Sequence, residues 1–353
     1  MMMKLRTFLV LLSSLLLPAG AWAGPTLLFD PANGKVLYAE DVDDQWHPAS
    51  LTKIMTAYLV FEALKAGTIT LDSKITTSEI AHAQPPSKVG LPVGGQMSVE
   101  LGLQALIVKS ANDVAVMLAE AVGGSQDAFV QKMNATARRL GMTRTNFVNP
   151  HGLPAAEQVT TARDLALLST AVLRDFPEHR DRWASSDMRI GKRRLVTHNG
   201  LLMNYEGADG LKTGFICDSG YNVVASATRD GHRLMAVVLG ESSGHERSIR
   251  AASLLDHGFG NYGWKVLFNS PTLESMPMTP DAKAVISVRS TVTSWGCNGR
   301  PRVAKARKGK AAAKASTQKT GVATAGSASQ PSRPARKRAA TAEASSISAT
   351  KAH

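Results

Sequence analysis

The chain has 353 residues, 44% hydrophobic and 20% charged, enough for one large domain or two ordinary ones. Its net charge of +13 would suit a nucleic-acid binder, but residues 300–353 hold 13 Lys or Arg against one acid, Glu343, and residues 24–299 are close to neutral. That distribution sets nucleic acid aside, and two cysteines with no His-x-x-x-His spacing set aside a usual zinc site.

The first element is a secretion signal. Lys4 and Arg6 precede the apolar run Phe8 to Leu17, and Ala21-Trp22-Ala23 is a small-x-small cleavage site. No Cys follows it, and no later apolar run approaches the ~20 residues of a membrane span. An exported chain meets an oxidising compartment. There Cys217 and Cys297 are either one disulfide or two buried thiols; the disulfide is favoured, since an exposed thiol is a liability outside the cytoplasm.

Thr26-Leu27-Leu28-Phe29 and Lys35 to Ala39 flank Asn33-Gly34 and predict a β-hairpin. Pro48 then leads into an apolar helix from Ser50 to about Ala66. Residues 68–99, broken by Pro and Gly, read as turns and short strands. Helices follow from Ser98, from Val114 and from Ser125 to Leu140, and Thr160-Thr161 caps another from Ala162 to about Leu173. Arg189-Ile190 pairs with Arg193 to Val196. Tyr221 to Ala227 and Arg233 to Leu239 form a hairpin around Asp230-Gly231, and Glu246 to Phe259 is the last helix. Strands at both ends and helices between them give an α+β fold. Residues 263–299 read as a short β-like extension, and the Ala/Lys/Arg-rich tail 300–353 as disordered, because it has too little apolar surface to offset its conformational entropy.

Three short motifs carry chemistry. Ser50 and Lys53, three apart, share a face at a helix start, where the positive helix end favours a neutral amine able to take the serine proton. Ser110-Ala111-Asn112 sits at a helix–helix junction that can aim two polar side chains into a cleft. Lys212-Thr213-Gly214 leads into an apolar strand pair, an edge suited to an extended peptide, with Gly214 removing side-chain bulk. Letters alone are cheap: Ser316-Thr317-Gln318-Lys319-Thr320-Gly321 in the tail repeats two of these patterns. The ordered set is what counts.

That set resembles the serine-type D-alanyl-D-alanine carboxypeptidases, the low-molecular-mass penicillin-binding proteins of the β-lactamase/transpeptidase-like superfamily. Pro48 to Thr56, Lys109 to Asp113, Asn199 to Leu202, Asp209 to Gly214 and Leu254 to Phe259 resemble family signatures in the family's order. The similarity covers roughly residues 24–262 and implies an antiparallel sheet built from both ends of the domain.

The resemblance implies acyl transfer on peptidoglycan stem peptides, with Ser50 as nucleophile and Lys53 as base. Ser110 and Lys212 would serve the leaving amine, and Asn112 would hold substrate and lysine in register. The N–H groups of Ser50 and Phe215 would form an oxyanion hole. Thr213 and Arg247 would meet the substrate carboxylate. β-Lactams would acylate Ser50, and no cofactor is implied. His198 stands where relatives often carry Arg, which weakens a carboxylate role and introduces a titratable ring. A disulfide from Cys217 to Cys297 would tie the post-domain segment near the active-site strand. The expected location is the periplasm, with the tail held to anionic envelope polymers or lipid head groups. The competing readings are a D,D-endopeptidase with the same residues and a non-catalytic basic envelope-binding protein. A β-lactamase is disfavoured, because no Glu-x-x-Leu-Asn-like stretch lies between Ser110 and Lys212.

Overall fold

The computed structural model describes residues 24–263, 270–294 and 296–297; residues 1–23, expected to be a secretion signal, and the tail 300–353, expected to be disordered, lie outside the described residues. In chain order the strands are β1 (Thr26–Phe29), β2 (Val36–Glu40), β3 (Lys74–Thr76), β4 (Gln96–Ser98), β5 (Asp187–Ile190), β6 (Arg193–Val196), β7 (Ala208–Ile216), β8 (Gly220–Arg229) and β9 (His232–Glu241). The helices are α1 (Lys53–Lys65), α2 (Glu79–Ala83), α3 (Val99–Gln104), α4 (Asn112–Gly123), α5 (Gln126–Arg139), α6 (Ala162–Asp175), α7 (Leu201–Asn204) and α8 (Gly244–Asn261). The central antiparallel sheet runs β2-β1-β9-β8-β7, so the first strand lies beside the last and β7 is an edge.

Period-two alternation sorts the sheet's side chains onto two faces. Leu28, Val223, Ala225, Leu234, Ala236 and Val238 pack under Ala251 and Leu255 of α8. Leu27, Phe29, Val224 and Val237 point the other way, into the larger core with α1, α4 and α6. Helix α1 is buried almost all round, as its run of apolar residues requires. Ser98, Ser125, Thr161 and Ser243 cap α3, α5, α6 and α8 by accepting from a backbone N–H three residues on.

The segment after α8 differs from expectation. Among the described residues of 263–299 there is no strand, only an isolated bridge between Thr272 and Lys35. The segment is a strap over the domain, with Leu273, Val288, Val292 and Cys297 buried. Its backbone groups bond the Arg163 side chain of α6, several loops and Val36 at the start of β2 rather than a full partner strand. The carbonyls of Leu273, Met276 and Pro277 accept from the Arg163 guanidinium, Val288 N–H donates to Asp218 O, and Thr293 N–H donates to Ser242 O. Cys217 and Cys297 are joined, 5.3 Å apart at Cα, and fix the strap to the turn after β7.

Candidate active site

The motif residues meet in one cleft of about 460 Å³, whose lining includes Ser50, Ser110, Asn112, Thr213, Gly214, Phe215 and Arg247. Ser50 lies in a 3₁₀ turn, Ala49–Thr52, that runs straight into α1, so Lys53 is the first residue of that helix. Ala49, just before it, has φ 48°, a left-handed conformation unusual for alanine, and Ser50 lines the cleft. Beneath Ser50 the Lys53 side chain is buried, 1% exposed.

Lys53 Nζ has three oxygen neighbours: Ser50 Oγ at 3.0 Å, Asn112 Oδ1 at 2.8 Å and the His151 carbonyl at 2.7 Å. The Asn112 amide orientation is fixed from its far side, because Asn112 Nδ2 donates to Pro85 O, which can only accept. Two of the three neighbours are therefore obligate acceptors. A neutral amine gives them its two hydrogens and turns its lone pair to the Ser50 hydroxyl. Burial first, and the charge of Lys212 second, hold Lys53 well below the usual lysine range, while Asp113 pulls it back up. The helix start argued from sequence is present, but burial is the larger cause.

Ser110 follows a π-helical turn, Ala105–Lys109, and has φ 59°. Its Oγ is buried with no hydrogen-bond partner among the described residues. The following residues are pinned to the cleft rim: Asn112 N–H donates to Ser87 O, and the Asp113 carboxylate accepts from the N–H groups of Val89 and Gly90.

Strand β7 forms the opposite wall. Lys212 is 2% exposed and donates to Thr213 O at 3.0 Å. Burial, then the neighbouring Arg247, bring its pKa down to about 7. Gly214 serves a different purpose from the one its sequence context suggests. A Cβ there would lie 2.9 Å from Pro48 O and 3.0 Å from Ser50 N. Its bareness admits the chain's own nucleophile turn rather than a substrate side chain, and it sets β7 against the Ser50 backbone. Arg247, in the first turn and a half of α8, is 6% exposed in the cleft wall and donates to the His198 carbonyl at 3.0 Å. Its burial lowers the guanidinium to about 10. The His198 ring is held below the ordinary imidazole value by burial, then by Lys212, Lys109 and Arg247, so its charge change falls on the acid side.

Sequence reasoning did not single out three contributors. His151 acts through its carbonyl; its ring is pushed down to about 3 by burial first and the charge of Lys53 second, and is neutral. Gly152, at φ +84°, has no room for a Cβ against the Ala49 carbonyl, which brings that loop onto the nucleophile turn. Asn222, fully buried in β8, donates to His47 O and accepts from Gly240 N, bracing the turn from the sheet side.

This constellation, a serine with a desolvated lysine beneath it, a second serine at a helix junction and a Lys-Thr-Gly edge strand, has the arrangement that serine acyl transfer requires, on a fold of the penicillin-binding class. The sequence profile of the D-alanyl-D-alanine carboxypeptidase family (peptidase S11) matches residues 18–243, and the chain belongs to that family. It is 39% identical to the D-alanyl-D-alanine carboxypeptidase DacC of Escherichia coli K12 over 274 residues, 76% of this chain and 65% of that one. The chain thus spans just under two-thirds of that relative's length. Penicillin-binding protein 5 from Haemophilus influenzae superposes with a TM-score of 0.66 at 37% identity, covering 67% of this chain and 71% of its own. Penicillin-binding protein D2 from Listeria monocytogenes, solved with ampicillin bound, superposes with a TM-score of 0.61 at 31% identity over 67% of this chain and 97% of that one.

Proposed function

We propose that this chain is a serine D-alanyl-D-alanine carboxypeptidase that removes the terminal D-alanine from peptidoglycan stem peptides. The observation that carries the reading is the Lys53 amine, held between Asn112 Oδ1 and His151 O with its remaining position on Ser50 Oγ. Ser50 Oγ attacks the carbonyl between the two terminal D-alanines and gives its proton to Lys53. The oxyanion forms between the N–H groups of Ser50 and Phe215, which Gly214 brings close by admitting the nucleophile turn. Collapse breaks the amide bond. The leaving amine takes a proton through the Ser110 hydroxyl, with Lys212 as the neighbouring cation. Water then cleaves the acyl-enzyme and restores Ser50. Thr213 and Arg247 receive the carboxylate of the leaving D-alanine.

β-Lactams present the same acyl chemistry with a leaving group that stays tethered, so they trap Ser50. Family membership and the ampicillin-bound Listeria relative support this. The test is labelling by a fluorescent penicillin together with D-alanine release from a soluble pentapeptide. Wild type does both, and Ser50→Ala does neither. Wild type that never labels removes the reading, and activity confined to cross-linked dimers makes the enzyme an endopeptidase.

The composition supports two further parts of the proposal. The chain works in the periplasm after loss of residues 1–23, and the tail 300–353 holds it to anionic envelope polymers or lipid head groups. Sedimentation with envelopes then weakens with salt and with deletion of the tail; indifference to both refutes the tether.

A further inference from the structure

We propose that the cross-strand aromatic pair Phe215–Tyr221 walls off the subsite of the leaving residue and limits what can leave to a small D-amino acid. The inference rests on the carboxypeptidase reading and adds which side chains set its selectivity. Thr213 and Phe215 are two apart on β7 and so share the face that carries the carboxylate partner Thr213. Tyr221 stands directly opposite Phe215 across the β7–β8 ladder. The two rings stack with centroids 4.2 Å apart and planes 29° from parallel. Their position is fixed at the carboxylate end of the cleft. A Cβ built on Gly244 would lie 3.6 Å from the Tyr221 ring and 3.9 Å from Arg247 Nη2, so the ring and the guanidinium flank the same point at the start of α8. Both rings line the cleft beside Arg247.

Once Arg247 and Thr213 fix the leaving carboxylate, the leaving side chain is fixed in direction too. The space beside it is closed by two flat rings with few rotamers to change, one of them backed by the doubly paired strand β8. A methyl group needs little of that space. A branched side chain, or the D-centre of a second stem peptide in a cross-link, needs the volume the rings occupy.

The experiment compares kcat/KM on two soluble stem pentapeptides that differ only at the C-terminus, D-Ala against D-Leu, and on a cross-linked dimer. Wild type prefers D-Ala by about tenfold or more. Tyr221→Ala and Phe215→Ala raise the D-Leu to D-Ala ratio at least about tenfold and gain on the dimer. Tyr221→Phe, which keeps the ring, keeps the wild-type ratio. Circular dichroism monitors folding, and Tyr221→Leu and Phe215→Leu replace any alanine variant that does not fold. Equal turnover of the two peptides by wild type overturns the proposal, as do trimmed variants that keep the wild-type ratio. Wild type that cleaves neither peptide and does not label refutes the carboxypeptidase reading itself, and this inference with it.

Discussion

Lys212, to which the proposal gives the leaving amine, is held at a cost to stability, and replacing it with methionine exposes that cost. Burial and Arg247 bring its pKa from 10.5 to about 7 in the folded protein. In the unfolded chain it returns to its ordinary value. The unfolded state therefore binds more protons between these two values, and the cost to stability falls as pH rises through that range. The shift of about 3.5 units corresponds to about 5 kcal/mol, expressed in full below pH 7 and lost as pH rises through 10.5. Methionine keeps most of the volume and has no charge to desolvate, but it forfeits the bond to Thr213 O, about 1–2 kcal/mol. Lys212→Met is thus expected to be more stable than wild type by about 3 kcal/mol at pH 6. The bond to Thr213 is lost at every pH, so the cleaner quantity is the change in that gap. It should shrink by about 2.5 kcal/mol between pH 6 and pH 9. Denaturant unfolding of both proteins at pH 6, 7.5 and 9 measures it. The same substitution should cost most of the penicillin acylation rate. It should also move the acid limb of what remains to higher pH, because the Lys212 charge helps keep Lys53 neutral. A gap that does not change with pH, or a variant less stable than wild type at pH 6, refutes the reasoning.

Three other perturbations test separate parts of the site. Cys297→Ser opens a bridge between residues 80 apart, worth about 4.5 kcal/mol in the chain-entropy treatment. Its denaturation midpoint should fall accordingly and match that of wild type in reductant; an unchanged midpoint would mean the strap needs no staple. Arg247→Ala should lower kcat/KM by roughly 10- to 100-fold for a peptide with a free C-terminal carboxylate, while hardly affecting its C-terminal amide. Equal losses on both peptides would remove the carboxylate role. Gly214→Ala should leave the circular dichroism spectrum intact yet slow penicillin acylation by about 100-fold, since its Cβ pushes β7 away from the Ser50 backbone. Acylation at the wild-type rate would show that this spacing is not needed.

Local signals made most of the architecture legible. Asp230-Gly231 reads as a tight hairpin turn because both residues adopt positive φ, 49° and 77°. The continuous apolar runs of β8 and β9 and the mostly apolar α1 likewise declare a sheet covered on both faces and a central helix. The side chains of the three motifs were legible as chemistry, and the fold brings them into one cleft. What stayed hidden acts through backbone or over long sequence distances. The His151 carbonyl has no side-chain signature, and its contact with Lys53 spans 98 residues. Asn222 looks like one polar residue in an apolar strand until its partners His47 and Gly240 are known. The strap's apolar residues read as short strands, yet they bury against the domain at irregular spacing and no strand receives them. Arg163 did leave a trace: a cation in the first turn of α6 opposes the helix dipole, which calls for a specific anion nearby.

That anion is Asp43, and the pair explains how an irregular strap stays ordered without a sheet. Arg163 Nε and Nη2 donate to the two Asp43 oxygens at 2.6 and 2.9 Å, and its remaining hydrogens go to the strap carbonyls. Asp43 also accepts from Thr279 N–H. Burial by itself would raise the Asp43 carboxyl, but the bonds from Arg163 and Thr279 hold it below the usual carboxylate range. A buried ion pair adds little net stability over a well-packed apolar pair, so its value here lies in satisfying backbone groups that have no strand partner. The strap then reaches the cleft from behind at two points. Lys283 O accepts from Gln45 N–H, five residues before Ser50, and Cys297 is bonded to Cys217, two residues after Phe215. Those two segments carry the backbone N–H groups assigned to the oxyanion hole. The strap therefore braces the register between nucleophile turn and edge strand, which Gly214 permits but cannot by itself enforce.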